Sequence, residues 1–292
     1  MKKLKKIGEA TKIVRKSHGL TIENAVTDKL TKSSIGRLES GADIKLSTLL
    51  AWLERFETSF DELLYVANNY ELSGYQAILN NVKQTYGDNQ QIALKKQLND
   101  AKWYFENESN SKRDKLNYLM LKNIVSINDK GFSLNTREKN QIIRYLMSIP
   151  NWSNYELALC GNTINAFDTK QTIKLAKELT TRSIRFQDIL NNQKGIIDIL
   201  INVSISLADK KEFGQAIYFK KEVEKRLSPQ DMYRRTILKF SEGIIEFSSG
   251  NEAIGKRKME QALRAFELSD SFGFVEMYQK RYDNIVKKTE SL

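Results

Sequence analysis

Apolar residues recur at three- and four-residue spacing along most of the chain, and no stretch of useful length alternates with period two. That pattern predicts helices and excludes a sheet. Three or four short helices can be read in the first 66 residues. Residues 7–16 are amphipathic and stop near His18, where Gly19 suits the left-handed position that closes a helix. Thr21 caps a second helix containing Ala25, and Thr31 caps a third through the N–H of Ser33 or Ser34. That third helix ends at Ser40, with Gly41 again left-handed. Ser47 caps a fourth over 48–56, with Leu49, Leu50 and Leu53 facing inward.

From about Tyr70 onward one helix follows another, each marked by a cap. Ser111 precedes Asp114, Ser153 forms a capping box with Glu156, and Asp168 is followed three residues later by Gln171. Pro229 after Ser228 occupies a first helical position, and Pro150 separates two helices. Helices starting near Ser153, Gln193, Pro229 and Asp270 alternate with partners starting near Asp168, Lys211 and Asn251. Paired helices repeating at about forty residues predict a stack of hairpins related to tetratricopeptide repeats. The expected fold is therefore all-α: an N-terminal helix-turn-helix domain (1–66), a linker and connecting helix (67–86), and a TPR-like right-handed helical-repeat domain (87–292) for regulation and dimerisation.

Composition narrows the class without changing the fold. The 292 residues are 40% hydrophobic and 28% charged, an ordinary globular balance, and only 2 prolines and 14 glycines interrupt the helices. One cysteine and one histidine leave no intrachain disulfide and no histidine-rich metal site, and suggest a reducing, cytoplasmic setting. The lysine-rich start is followed by no apolar stretch long enough for an export signal, and no segment suits a bilayer. No zinc-protease helix motif, phosphate loop or nucleophile elbow is present, so an enzyme is not expected, and no cofactor or metal is implied.

Charge is more informative than composition. The net +11 is concentrated: residues 1–37 carry ten basic and three acidic side chains, whereas residues 38–65 carry two and six. A small module with one basic face suits a polyanion. Two short helices joined tightly, the second basic, describe a helix-turn-helix, and the order Leu20, Thr21, Ala25, Leu30, Thr31, Ile35, Leu38 and Gly41 resembles the Cro/repressor-type (XRE) domain. Lys29 stands where that family often has glycine in the turn. Ile35 and Leu38 point inward by their spacing, so Lys32, Ser33, Gly36 and Arg37 face out on the helix that would enter the major groove. Arg37 can fork onto guanine, or sit in a surface ion pair; both readings are open. With Ser34, Thr21 and Arg15 these are the candidate DNA contacts.

In the repeats, residues 195–208 are apolar nearly all round and should be buried, which makes Asn202 a costly exception unless it is satisfied. Asn162 lies on the stripe Tyr155, Leu159, Asn162, Ala166. Each asparagine could clamp an extended peptide backbone or bond between helices inside the stack. Tyr233, Arg235 and Lys239 open the next repeat and offer an aromatic platform and a carboxylate partner, or else an outer solvated face. Cys160 reads as a small core residue.

Three segments then resemble one family: TKSSIGRLESG at 31–41, YELALCGNT at 155–163 with Phe167-Asp168, and MYRRTILKF at 232–240 with Glu242-Gly243. Over essentially the whole length the chain resembles the Rgg (GadR/MutR) transcription regulators of Gram-positive bacteria. The resemblance implies a cytosolic homodimer bound to double-stranded promoter DNA, RNA polymerase as a further partner, and control by a short, often hydrophobic signalling peptide in quorum sensing. It implies that Asn162, Tyr233 and Arg235 occupy peptide-pocket positions, with Asn202, Lys239 and Tyr155 the further candidates. It also implies that the interchain disulfide of some members is absent, since Cys160 is far from the DNA-binding region. The competing reading is a helical-repeat protein-interaction regulator that binds DNA without a peptide pheromone.

Overall fold

A computed structural model describes residues 2–72, 74–84 and 90–290. Helices account for the regular structure, and among the described residues the only β-type pairing is an isolated bridge between Thr27 and Leu30. The chain divides into two compact units, Met1–Gln90 and Gln91–Leu292.

The first unit contains α1 (Lys2–Ser17), α2 (Ile22–Ala25), α3 (Lys32–Glu39), α4 (Leu46–Arg55), α5 (Phe60–Ala67) and α6 (Gly74–Gln84). Gly19 and Gly41 follow α1 and α3 in the left-handed region, at φ 68° and 73°, where a side chain would be strained. Thr27 and Leu30 exchange backbone hydrogen bonds of 3.0 and 3.1 Å across the turn before α3. Lys29 is not among the left-handed residues, so the turn closes without a glycine. Ala10, Val14, Leu30, Ile35, Leu38, Trp52, Phe56 and Leu63 form the core.

Two expectations for this unit are corrected. The fourth helix starts at Leu46 with Lys45 in the cap position, so Ser47 lies inside it and caps nothing. Leu50 is exposed, because the inward stripe is Leu49, Trp52, Leu53 and Phe56, and position 50 lies about a quarter turn away from it. A fifth helix, α5, follows that the apolar spacing does not single out. Its cap is a full box in which the Glu62 carboxylate accepts from the Ser59 N–H at 2.7 Å.

The second unit runs α7 (Gln90–Tyr104), a wide π-type turn (Phe105–Ser109), α8 (Lys112–Ser126), α9 (Thr136–Ser148), α10 (Asn154–Thr163), α11 (Thr169–Arg182), α12 (Leu190–Asp209), α13 (Phe213–Glu224), α14 (Met232–Ser248), α15 (Glu252–Leu268) and α16 (Phe272–Glu290). Helices α8 to α15 pair as consecutive hairpins, the TPR-like arrangement. The stack includes one hairpin more than the forty-residue spacing predicts, α8 with α9, which opens at the Ser111 cap. Asp168 and Gln171 form the anticipated box, and the Glu156 carboxylate accepts from both Ser153 N–H and Oγ.

Pro229 does not open α14. It sits in a turn, and α14 begins at Met232, capped by Asp231, which accepts from the Arg234 N–H at 3.1 Å. The turn is held closed by Arg235, whose guanidinium donates to the carbonyls of Leu227 and Ser228. Equivalent positions after α12, α14 and α15 are left-handed, occupied by Lys211, Gly250 and Asp270.

Candidate functional site

In the first unit, the Thr31 Oγ1 accepts the Ser34 N–H at 3.1 Å and fixes the start of α3. Lys32, Ser33 and Arg37 are exposed on one side of that helix. A methyl group added at Gly36 would meet nothing within 4 Å, so packing does not demand glycine there. Arg37 donates to the Asp43 carbonyl at 3.0 Å rather than to a carboxylate. Ser34, Arg37, Asp43, Lys45 and Thr48 border a shallow depression of about 510 Å³. Lys45 and Thr48 were not singled out from sequence. No sequence signal marks them, because the spacing places a Ser47 cap where the helix in fact starts at Leu46 without a side-chain cap. Lys32 pairs with Glu23 at 2.5 Å on the surface, and that hydrogen bond holds the Glu23 carboxyl below its ordinary range. Thr21 is exposed and caps α2 through the Asn24 N–H.

Arg15 is not part of this surface. It is buried, forms a two-pronged pair with Glu39 at 2.6 and 2.9 Å, and donates to the Leu20 carbonyl. The hydrogen bonds to Glu39 raise its pKa above the ordinary guanidinium value. Its role is to tie α1 to α3, and a bidentate fork is the geometry that permits a buried carboxylate there.

In the second unit, α12 is buried on nearly every side, as its sequence demands. From Ile196 onward the exceptions fall at Asp198, Asn202, Ser206 and Asp209, one polar line at helical spacing; before it, Gln193 and Lys194 are exposed in the first turn. Asn202 is exposed and carries no burial cost; the buried polar residues of this helix are Asn192, which donates to the Phe186 carbonyl at 2.9 Å, and Ser204, whose hydroxyl donates to the Ala216 carbonyl at 2.8 Å. Three of the four line residues open into a groove of about 470 Å³. Its other walls include Asn162 in the last turn of α10 and Asn165 just after it, Ile124 and Ile127 from the end of α8, and Arg281 from α16. Arg281 reaches Asp209 at 2.8 Å and bridges α16 to α12. Asn123, fully buried and missed in sequence, donates to the Asn162 carbonyl and the Asn165 side chain at 2.7 Å each, which holds that edge in place. A mixed lining of aliphatic side chains and several amide groups can take an extended chain by its backbone.

The remaining candidates do not join this groove. Tyr155 is buried, packed edge-on against Tyr145 and under the Arg113 guanidinium, because its position faces the α8–α9 hairpin. Tyr233 packs among Phe266 and Phe274 beside α15 and α16. Arg235 is occupied by the turn carbonyls, and Lys239 reaches Gln261 across to α15. The neighbouring Arg234 is the one that reaches α12, gripping Asp198 at 2.7 and 2.8 Å. Only Asn162 and Asn202 of the six candidates are brought together.

Among the described residues no group of three or more His, Cys, Asp or Glu could hold a metal ion, and no helix is long and apolar enough to cross a membrane. Cys160 is fully buried, which pushes its thiol up to about 12.

The fold is similar to several solved structures. The SHP pheromone receptor Rgg2 from Streptococcus dysgalactiae is 23% identical, covers 95% of this chain and 99% of its own, and superposes with a TM-score of 0.76. ComR from S. thermophilus, solved with DNA and its signalling peptide ComS, is 15% identical over 96% of this chain and 99% of its own, at 0.61. PlcR from Bacillus thuringiensis, solved with the peptide PapR7 and DNA, is 13% identical over 94% and 99%, at 0.65. Residues 95–280 match the family model of the HTH-type transcriptional regulator Rgg, C-terminal domain. With most of its length inside that match, the chain belongs to the Rgg family of helix-turn-helix transcriptional regulators.

Proposed function

We propose that this protein is a cytoplasmic, homodimeric transcription regulator whose grip on promoter DNA is set by a short, apolar signalling peptide. The observation that carries the reading is the line Asp198, Asn202, Ser206, Asp209. It is the polar face of a helix buried on its other sides from Ile196 onward, and three of its four residues face Asn162 across a groove lined by amides together with Ile124, Ile127, Ile164 and Val203. The peptide's backbone would bond to Asn162 and Asn202, and its side chains would lie on Ile127, Ile164 and Val203. In the first unit, Arg37, Lys32 and Ser33 would meet base edges, and Lys45 with the uncapped start of α4 would meet phosphate. Two modules of a symmetric dimer would occupy half-sites about one helical turn apart. A peptide shifts such a dimer only if it binds one arrangement better than the other. The structural relatives solved with DNA and peptide support the reading, which assigns the protein no catalytic step.

The test is gel retardation of promoter fragments by the full chain over a salt series, with and without short apolar peptides, together with calorimetric titration of those peptides. Salt-sensitive retardation that a bound peptide alters is the expected result. Absence of retardation from every fragment, with or without peptide, overturns it.

A further inference from the structure

A second cavity, of about 570 Å³, lies between the wide turn, the start of α8 and the middle of α9, and it shares no residue with the groove. Four cations line it, Lys112, Lys115, Arg137 and Arg144, and no acidic side chain does. Glu106 and Glu108 of the wide turn are exposed and do not line it, and three further acids are engaged by other partners. Asp114 accepts from Ser109 and Ser111, Glu138 accepts from Lys122 at 2.7 and 2.9 Å, and Glu156 accepts from Tyr145 and Ser153. Aromatic rings hold the lysines without neutralising them: Lys112 Nζ is 5.3 Å from the Tyr145 ring, and Lys115 Nζ is 5.6 Å from that of Phe105. The buried Oε1 of Gln141, on the same wall, has no hydrogen-bond partner.

This arrangement opposes the usual electrostatic preferences of a helix. Lys112 and Lys115 stand in the first turn of α8, where the helix dipole is positive and cations are disfavoured. Two arginines from α9 add like charge across a gap. Departures of this kind from local rules mark functional sites, and an anion in the gap reverses the sign of every term. Arginine and lysine at the mouth of a helix N-terminus suit phosphate oxygens, and the aromatic rings suit a flat base.

We propose that this cavity binds a small phosphate-bearing anion, of the nucleoside phosphate class, on Lys112, Lys115, Arg137 and Arg144 with Phe105 and Tyr145 as its aromatic wall. The proposal stands independently of peptide control.

The test titrates the full chain with ADP and with inorganic pyrophosphate at constant ionic strength, by calorimetry and by shift in melting temperature. ADP is expected to bind more tightly than pyrophosphate, since only it can use the rings; equal binding assigns the site to the phosphate group alone. The pairs Arg137→Gln/Arg144→Gln and Lys112→Gln/Lys115→Gln should each weaken ADP about tenfold or more while the unliganded chain melts no earlier. Lys170→Gln/Lys174→Gln on α11 should leave ADP binding unchanged. Failure of both probes to bind at about 1 mM overturns the proposal. So does equal weakening by the α11 pair, or a loss of duplex-DNA binding in the α8 and α9 variants with neither probe bound.

Discussion

The two units use charge in opposite ways. In the N-terminal unit the strongest ion pair, Arg15 with Glu39, is buried and structural, while the cations nearest the recognition helix sit at the surface. In the repeat unit the neutral amides Asn162 and Asn202 border the groove, where the Arg281 and Asp209 pair closes one side, while Arg234 on Asp198 ties α14 to α12 outside it. On the proposed function, a polyanion would be met by charge carried on a small headpiece, and an extended apolar peptide by amides on a helix that its neighbours hold fixed. The difference teaches that the sign of a residue says little about its job until its partner is known.

The largest effect that would break this contrast is expected at Arg15. Arg15→Ala leaves the Glu39 carboxylate, whose side chain is 7% exposed, without its partner, and should cost the first unit about 3–5 kcal/mol and abolish DNA binding. Thermal unfolding should then show the early loss of one unit and an unchanged transition for the other. A loss under about 1 kcal/mol would return Arg15 to the surface. Gly8→Ala should act in the same direction, since its new methyl would stand 2.5 Å from the Gly41 nitrogen where α1 crosses α3.

Arg37→Ala should relax selectivity by about 1–3 kcal/mol at a single base pair and leave the melting temperature alone, as read by binding to a set of singly substituted operators. Uniform weakening across all sequences would reduce Arg37 to a phosphate contact. In the repeats, Ser204→Val removes a buried bond to the Ala216 carbonyl and should destabilise that unit by roughly 1–3 kcal/mol. Asn202→Ala should shift stability by no more than about 0.5 kcal/mol and instead weaken peptide binding. If the two variants exchange these outcomes, the polar line of α12 is structural.

The smallest effect sharpens the account of the hairpins. Lys211 holds the same left-handed position as Gly250, and Lys211→Gly should stabilise the repeat unit by roughly 1 kcal/mol in denaturant titrations. No gain would mean that the Lys211 side chain compensates its backbone.

Legibility followed range. The caps at Thr21, Thr31, Ser111 and Asp168 were readable because each bond closes within three residues. The α5 box at Ser59 obeys the same rule and was overlooked, so nothing physical concealed it. Ser47 and Pro229 failed for a different reason. A cap signal gives no information about whether a neighbour will start the helix sooner or hold the chain in a turn, as Arg235 does here. Tyr155 sat on the right stripe in sequence, yet the Tyr145 and Arg113 side chains cover it.

The sequence by itself determined that the chain is helical, that the helices repeat as hairpins, that a basic headpiece precedes them, and that α12 is interior. Those are properties of spacing, and spacing is local. Tertiary structure alone decided which of Arg234 and Arg235 reaches α12, which cation of the headpiece is buried, and that Asn162 and Asn202 share one groove. Each of those outcomes depends on residues brought together from 24 to 40 positions apart. At that range the geometry of packed helices, not the order of residues, sets who meets whom.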